Sequence, residues 1–191
     1  MKKIIFFISI LIINSLILFY IYSLKLPIPI YQTKQSGTYP FGCITKENIL
    51  IQHIYIPHDE IIKQLDLKLA TYARVNTNIN NISIINNKIL LYSKEFNSNI
   101  LSDNSFFHIP NLNIPVKEGE DLTISISSDD ATSHNCITAW ISNIESKNKL
   151  IQYNSSSNTY TEKEGELIVK ISNDTISLPR YLSSRFLNIP M

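Results

Sequence analysis

"DLTISIS", Asp121–Ser127, and "QLDLKLATY", Gln64–Tyr72, are the stretches on which the reading of this chain turns. In the first, Leu122, Ile124 and Ile126 fall on one side of an extended chain and Thr123, Ser125 and Ser127 on the other; in the second, Leu65, Leu67 and Leu69 share a side. Successive side chains of a strand point to opposite faces, so one apolar face at a period of two marks a strand lying on a core. Similar short runs recur from Tyr39 onward ("ILIQHIYI", "NISII", "KILLYS", "SFFHI", "CITAWIS", "KLIQY", "ELIVKIS"), and none sustains the 3.6-residue period of a helix. Turn-forming residues separate them: Pro57-His58-Asp59, Asn76–Asn81, Asn86-Asn87, Ser102-Asp103-Asn104, Glu118–Asp121 and Ser155–Asn158. The pattern predicts an all-β domain, a jelly roll or two-sheet β-sandwich of about eight or nine strands.

Ahead of these runs the chain is of another kind. Ile4–Tyr22 carries no charge and only Ser9, Asn14 and Ser15 as polar interruptions. As a helix it would reach roughly 29 Å, close to the ~30 Å hydrocarbon thickness of a bilayer. A cleaved signal peptide is the competing reading, but the apolar run is long for one and no small-x-small site follows it. Lys2 and Lys3 are expected to stay in the cytoplasm, which sends the rest of the chain across. The expected organisation is therefore a signal anchor over 1–25, a spacer over 26–38 containing Pro27, Pro29 and Gly37, an exported sandwich over 39–177, and a tail over 178–191. In that tail Leu182 and Phe186, with Arg180 and Arg185, form one amphipathic turn or a frayed end. Localisation follows: a single-pass cell-membrane protein with its domain on the extracytoplasmic side.

The 17 basic residues less Lys2, Lys3 and Lys25 leave 14 against 16 acidic, a formal −2 beyond the anchor, which argues against nucleic acid as a partner. An excess of Ile, Asn and Lys fits an A+T-rich coding sequence, so the sequons at Asn81, Asn154 and Asn173 carry little weight. The only two cysteines, Cys43 and Cys136, each head a Cys-Ile-Thr tripeptide. In an exported domain they are available for oxidation and the reading favours one Cys43–Cys136 disulfide; the alternative is two small buried hydrophobes in separate strands.

Catalytic patterns are missing from the sequence: no Gly-x-Ser-x-Gly elbow, no His-Glu-x-x-His, no phosphate-cradling glycine loop. The reading is noncatalytic. His53, His58, His108 and His134 are scattered without a second ligand at metal spacing, while Asp129, Asp130 and Asn135 would offer oxygens to a Ca²⁺ ion in a loop, or simply serve a polar connection. "LATYARVNTN" is more informative. Tyr72, Arg74 and Asn76, at alternate positions beyond an apolar strand, put an aromatic, a guanidinium and an amide on one side, groups suited to the apolar face and hydroxyls of a sugar. Trp140, the single tryptophan, is either a further ligand contact or core.

Taken in order, "ILIQHIYIP", "LDLKLATYARVNTNINNISI", "NILSDNSFFHIP", "EGEDLTISISS" and "NCITAW" resemble a jelly-roll accessory domain of bacterial membrane glycosyltransferases and surface-polysaccharide proteins. The resemblance covers about Ile49 to Ile141. It rests on Gln52, on the Ala70-Thr71-Tyr72-x-Arg74-x-Asn76 corner, on the Leu101-x-Asp103-Asn104 turn, and on Ile137, Thr138 and Trp140. It implies a noncatalytic, carbohydrate-binding module outside the membrane, with glycan or polysaccharide as ligand. Such modules usually accompany many membrane helices and a catalytic unit, whereas here one anchor is expected. The resemblance thus also allows an interaction subunit that docks on a membrane glycosyltransferase or export complex without touching sugar.

Overall fold

In the computed structural model the described residues are 12–21 and 25–177. The chain divides into two compact units, Pro29–Ser172 on the one hand and Met1–Ile28 with Asn173–Met191 on the other. Of the latter unit the described parts are a helix over residues 12–21 and the ends of two strands. The helix exposes Ile12, Ile13, Leu16, Ile17, Leu18 and Phe19. Among the described residues no helix is long and apolar enough to cross a membrane. The rest of the expected 4–22 span lies outside the described residues, as does the expected turn around Leu182 and Phe186.

The strands run, in chain order, β1 (Lys25–Gln32), β2 (Thr38–Pro40), β3 (Ile49–Tyr55), β4 (Glu60–Ile62), β5 (Gln64–Ala70), β6 (Ile79–Asn86), β7 (Ile89–Asn97), β8 (Ser105–Ile109), β9 (Ile114–Val116), β10 (Asp121–Ser127), β11 (Thr138–Ser142), β12 (Leu150–Asn154), β13 (Thr159–Lys163), β14 (Glu166–Leu167) and β15 (Val169–Ser177). They make two large sheets. One has the order β1-β15-β5-β11-β14, with β2 also on β11 and β8 also on β5; the other is β13-β12-β3-β10-β6-β7. A small ladder pairs β4 with β9. The architecture is that of an antiparallel β-sandwich.

Alternation explains which faces meet. Leu122, Ile124 and Ile126 are buried and stand opposite Ile54, Gln52 and Leu50 of β3 on one side and Asn86, Ile84 and Ile82 of β6 on the other. From the larger sheet come Leu65, Leu67 and Leu69, joined by Ile109, Ile137, Ala139, Ile141, Val169 and Ile171. Gln52 is a polar member of this interior: wholly buried, it accepts from the Leu167 N–H at 2.8 Å and so ties a strand of the smaller sheet to one of the larger. Its amide donates to the His53 and Lys149 carbonyls. Turn chemistry is specific as well. The β6–β7 hairpin places Asn87 at φ 48 and Lys88 at φ 70, the left-handed pair that suits a tight hairpin's twist. Gly165, at φ 90, has no room for a side chain, since a Cβ would collide with the Ser142 carbonyl.

The spacer region differs from expectation. Instead of an unpaired stalk, its first part is β1, with Pro27 and Pro29 inside the strand. β1 lies at the end of its sheet order, and at an edge a proline's missing donor breaks no ladder. Among the described residues strands number fifteen rather than eight or nine, the surplus being short segments such as β2, β4, β9 and β14.

Candidate functional site

β5 runs into the corner at Thr71–Asn76, where the expected continuation of a strand does not occur. Tyr72 and Ala73 adopt φ of 60 and 54, left-handed values that cost a residue with a Cβ on the order of 1–2 kcal/mol each. Asp103 compensates. Its Oδ1 accepts from the Thr71 N–H at 2.6 Å and the Thr71 hydroxyl at 3.1 Å, and the carboxylate also takes the Ala73 N–H. Burial alone would raise the Asp103 pKa, but these hydrogen bonds, with one from the Asn104 backbone, outweigh it and hold the carboxyl below its ordinary range.

The corner splits the residues expected to act together. Tyr72 is exposed, and the Arg74 guanidinium lies 4.9 Å from its ring centroid. Asn76 is wholly buried: its Nδ2 donates to the Thr71 and Cys136 carbonyls at 3.1 and 2.7 Å, so it holds the corner to the segment before β11 and does not face a ligand. The turn asparagines Asn78 and Asn80 are also buried, joined at 2.8 Å, and Asn78 bonds Ser98 and Ser128. Trp140 is half-buried on the outer side of the larger sheet, its indole N–H donating to Asn104 Oδ1 at 2.9 Å. Asp103 and Asn104 are adjacent, so a single turn anchors both the Tyr72 corner and the tryptophan.

Register extends this surface. Lys68 of β5 stands opposite Phe106 of β8, and Asp66 opposite both His108 of β8 and Lys170 of β15. Directly opposed residues share a face. The Lys68 ammonium lies 5.7 Å from the Trp140 ring and the Lys170 ammonium 4.2 Å from the Phe106 ring. Asp66, nearly buried, bonds His108 Nδ1 at 2.8 Å and the Gln64 amide. Two aromatic rings thus alternate with ammonium, carboxylate, imidazole and amide groups along one sheet face. Phe106, Lys68, Lys170, Asp66 and His108 were missed from sequence; the alternation of "SFFHI" puts Phe106 and His108 on one side, but only the β5–β8 register brings them to Lys68 and Asp66.

Cys43 and Cys136 form one disulfide, with Cα atoms 5.6 Å apart and a sequence separation of 93. β2 pairs β11, and beyond the ladder the Phe41 N–H donates to the Ala139 carbonyl and the Ile44 N–H to the Ile137 carbonyl, both at 2.9 Å. The two Cys-Ile-Thr stretches are therefore neighbours. For the calcium reading, Asp130 Oδ1 is taken by the Ile79 N–H at 2.8 Å and Asn135 Oδ1 by the Thr77 N–H at 2.8 Å. Among the described residues no group of three or more His, Cys, Asp or Glu is placed to hold a metal.

Clefts lie elsewhere. One of about 420 Å³ is lined by Asn143–Ser146, Asn148 and Glu162–Gly165. Nearby, buried Glu166 accepts from Tyr31 at 2.7 Å, Asn148 at 2.6 Å and the Ser146 hydroxyl. Burial and the bond to Glu166 push the Tyr31 phenol well above its ordinary pKa. A second cleft, of about 480 Å³, is lined by Cys43, Thr45, Lys46, Glu47 and Asp129 through Ser133, without Asp130. No protein-family model and no curated protein matches the sequence.

Proposed function

We propose that this chain is a noncatalytic β-sandwich of jelly-roll type that binds carbohydrate on the outer face of its larger sheet and is held at the extracytoplasmic side of a cell membrane by residues 4–22. The observation that carries the ligand class is the strip of Trp140, Lys68, Phe106, Lys170, Asp66 and His108. Ring faces suit the C–H faces of pyranose sugars, and the interleaved donors and acceptors suit hydroxyls. Both ammonium groups sit on flexible stems over the rings, so they can move aside for a sugar and still reach its substituents. With Lys68 and Lys170 on the strip against Asp66, the favoured ligand is a polysaccharide bearing carboxylate or phosphate. Tyr72 and Arg74 extend the same surface by way of the Asp103-Asn104 turn. Support for the anchor is the charge-free run Ile4–Tyr22 and the apolar side chains exposed on the helix over residues 12–21. Calorimetric titration of the full-length protein in detergent with a panel of neutral and acidic cell-envelope glycans tests the reading; saturable heat with an acidic glycan, lost in Trp140→Ala, is expected.

A second reading, an interaction subunit for a membrane glycosyltransferase or export complex, is favoured by one observation. β7 ends the smaller sheet's order, and its start exposes Ile89, Leu90 and Leu91. An uncovered apolar edge invites another protein's strand. Co-purification of a membrane enzyme that Leu90→Lys abolishes, with no heat from any glycan, would select this reading.

A further inference from the structure

The disulfide is unevenly presented. Cys136 is wholly buried, whereas Cys43 is half-buried and lines the 480 Å³ cleft beside Thr45, Lys46, Glu47, Thr132 and Ser133. On the buried side a cation waits: Arg74 Nη2 lies 3.6 Å from Cys136 Sγ. The guanidinium is fixed there by Nη1 donating to the Ser133 carbonyl at 3.4 Å and by the Tyr72 ring, while its buried Nε makes no hydrogen bond. A disulfide sulfur is a weak acceptor and gains little from that cation. A thiolate at the same position would gain a charge-assisted hydrogen bond.

We propose that Cys43–Cys136 is a reversible thiol–disulfide exchange site, at which a low-molecular-weight thiol becomes attached to Cys43 and Cys136 leaves as a thiolate paired with Arg74. The electron pair of the incoming thiolate forms the new bond to Cys43 Sγ, the Cys43–Cys136 bond breaks, and its pair goes to Cys136 Sγ. No net oxidation occurs. Attack is directed by access to the cleft, and departure is eased where the leaving thiolate is stabilised. The chain around both sulfurs is pinned without the bridge: Ile44 N–H to Ile137 carbonyl at 2.9 Å, Asn48 Nδ2 to Cys43 carbonyl at 2.6 Å, Asn76 Nδ2 to Cys136 carbonyl at 2.7 Å. The Cys136 thiolate therefore stays beside the mixed disulfide and can attack Cys43 Sγ in reverse, releasing the thiol and closing the bridge. Of the other charged groups nearby, Lys46, Glu47 and Asp129 line the cleft on the Cys43 side, and exposed His134 bonds the Ser133 hydroxyl.

The test treats the full-length oxidised protein with reduced glutathione at neutral pH, quenches with acid, alkylates free thiols and maps the peptides by mass. Glutathione is expected on Cys43 with alkylated Cys136, in about tenfold excess over the reverse adduct. Arg74→Gln should slow adduct formation about tenfold and Arg74→Lys should restore much of it. Should Arg74→Gln not fold, the ultraviolet thiolate absorbance of Cys43→Ser reports the same interaction, with Cys136 expected to titrate below the ordinary cysteine value of about 8.5. Glutathione on Cys136, an even partition, absence of any adduct, or a Cys136 thiol titrating at or above that value overturns the proposal.

Discussion

Removing the Asp103 carboxylate, as Asp103→Ala, should unlock the Tyr72 corner. The carboxylate accepts from the Thr71 N–H at 2.6 Å, the Thr71 hydroxyl at 3.1 Å and the Ala73 N–H, and it holds Tyr72 and Ala73 at left-handed φ. Hydrogen bonds to a charged group contribute about 1.5–3 kcal/mol each, but Asp103 is only half-buried and water replaces part of what is lost. Thr71 itself is buried, so its N–H is the donor least easily rehydrated. The net loss should be about 2–4 kcal/mol, a fall in melting temperature of roughly 5–12 °C for a chain of this size. The pH dependence adds a second signature. The folded pKa lies below the ordinary 3.8, so the contribution is whole well above that value and is lost as pH falls from it through the lower folded value. Urea unfolding of wild type and Asp103→Ala should therefore differ most at neutral pH and converge in acid. A difference under about 0.5 kcal/mol at pH 7, or one that does not shrink in acid, would refute the assignment of the corner to Asp103.

Gln52→Leu leaves the buried Leu167 N–H without its acceptor and should lower stability by about 1–3 kcal/mol in the same assay; an unchanged midpoint would mean that the tie between the sheets is dispensable. Replacing Cys43 and Cys136 with serine frees a loop of 93 residues, for which the chain-entropy model gives about 4–5 kcal/mol against a usual total of about 5–15, so the melting temperature should drop steeply and become insensitive to reductant. Phe106→Ala, on an edge strand, should keep the fold yet weaken glycan binding about tenfold, as read by calorimetry. A variant that binds as tightly as wild type would remove Phe106 from the strip.

The core was legible because a strand on a core writes its face into alternate letters. β10 and β5 could be read residue by residue, and their inward leucines and isoleucines are buried as the alternation requires. Strands of two or three residues hold too little of a period to be seen, which is why β4 and β9 escaped and why β14 was read as one run with β15. Pro27 and Pro29 misled for a related reason: proline excludes a central strand, and sequence does not say which strand is an edge. At the candidate site, residue types were readable but geometry was not. Tyr72, Arg74 and Asn76 alternate only if the chain stays extended, and the positive φ at Tyr72 and Ala73 turns Asn76 inward. Their stabiliser, Asp103, lies 32 residues from Thr71, beyond the reach of any local pattern. The bridge was readable from two cysteines in a chain expected to be exported, while its reality depends on β2 lying against β11.

Trp140 is the only tryptophan in the chain and stands on the proposed binding strip, so its fluorescence reports that face alone. Titrating the full-length protein with an acidic cell-envelope polysaccharide should shift the emission saturably, with the shift weakening as salt rises and a tighter midpoint than for a neutral glycan of equal length. An emission spectrum that stays unchanged across acidic and neutral glycans alike, in protein whose melting curve shows it folded, would contradict carbohydrate binding by this face.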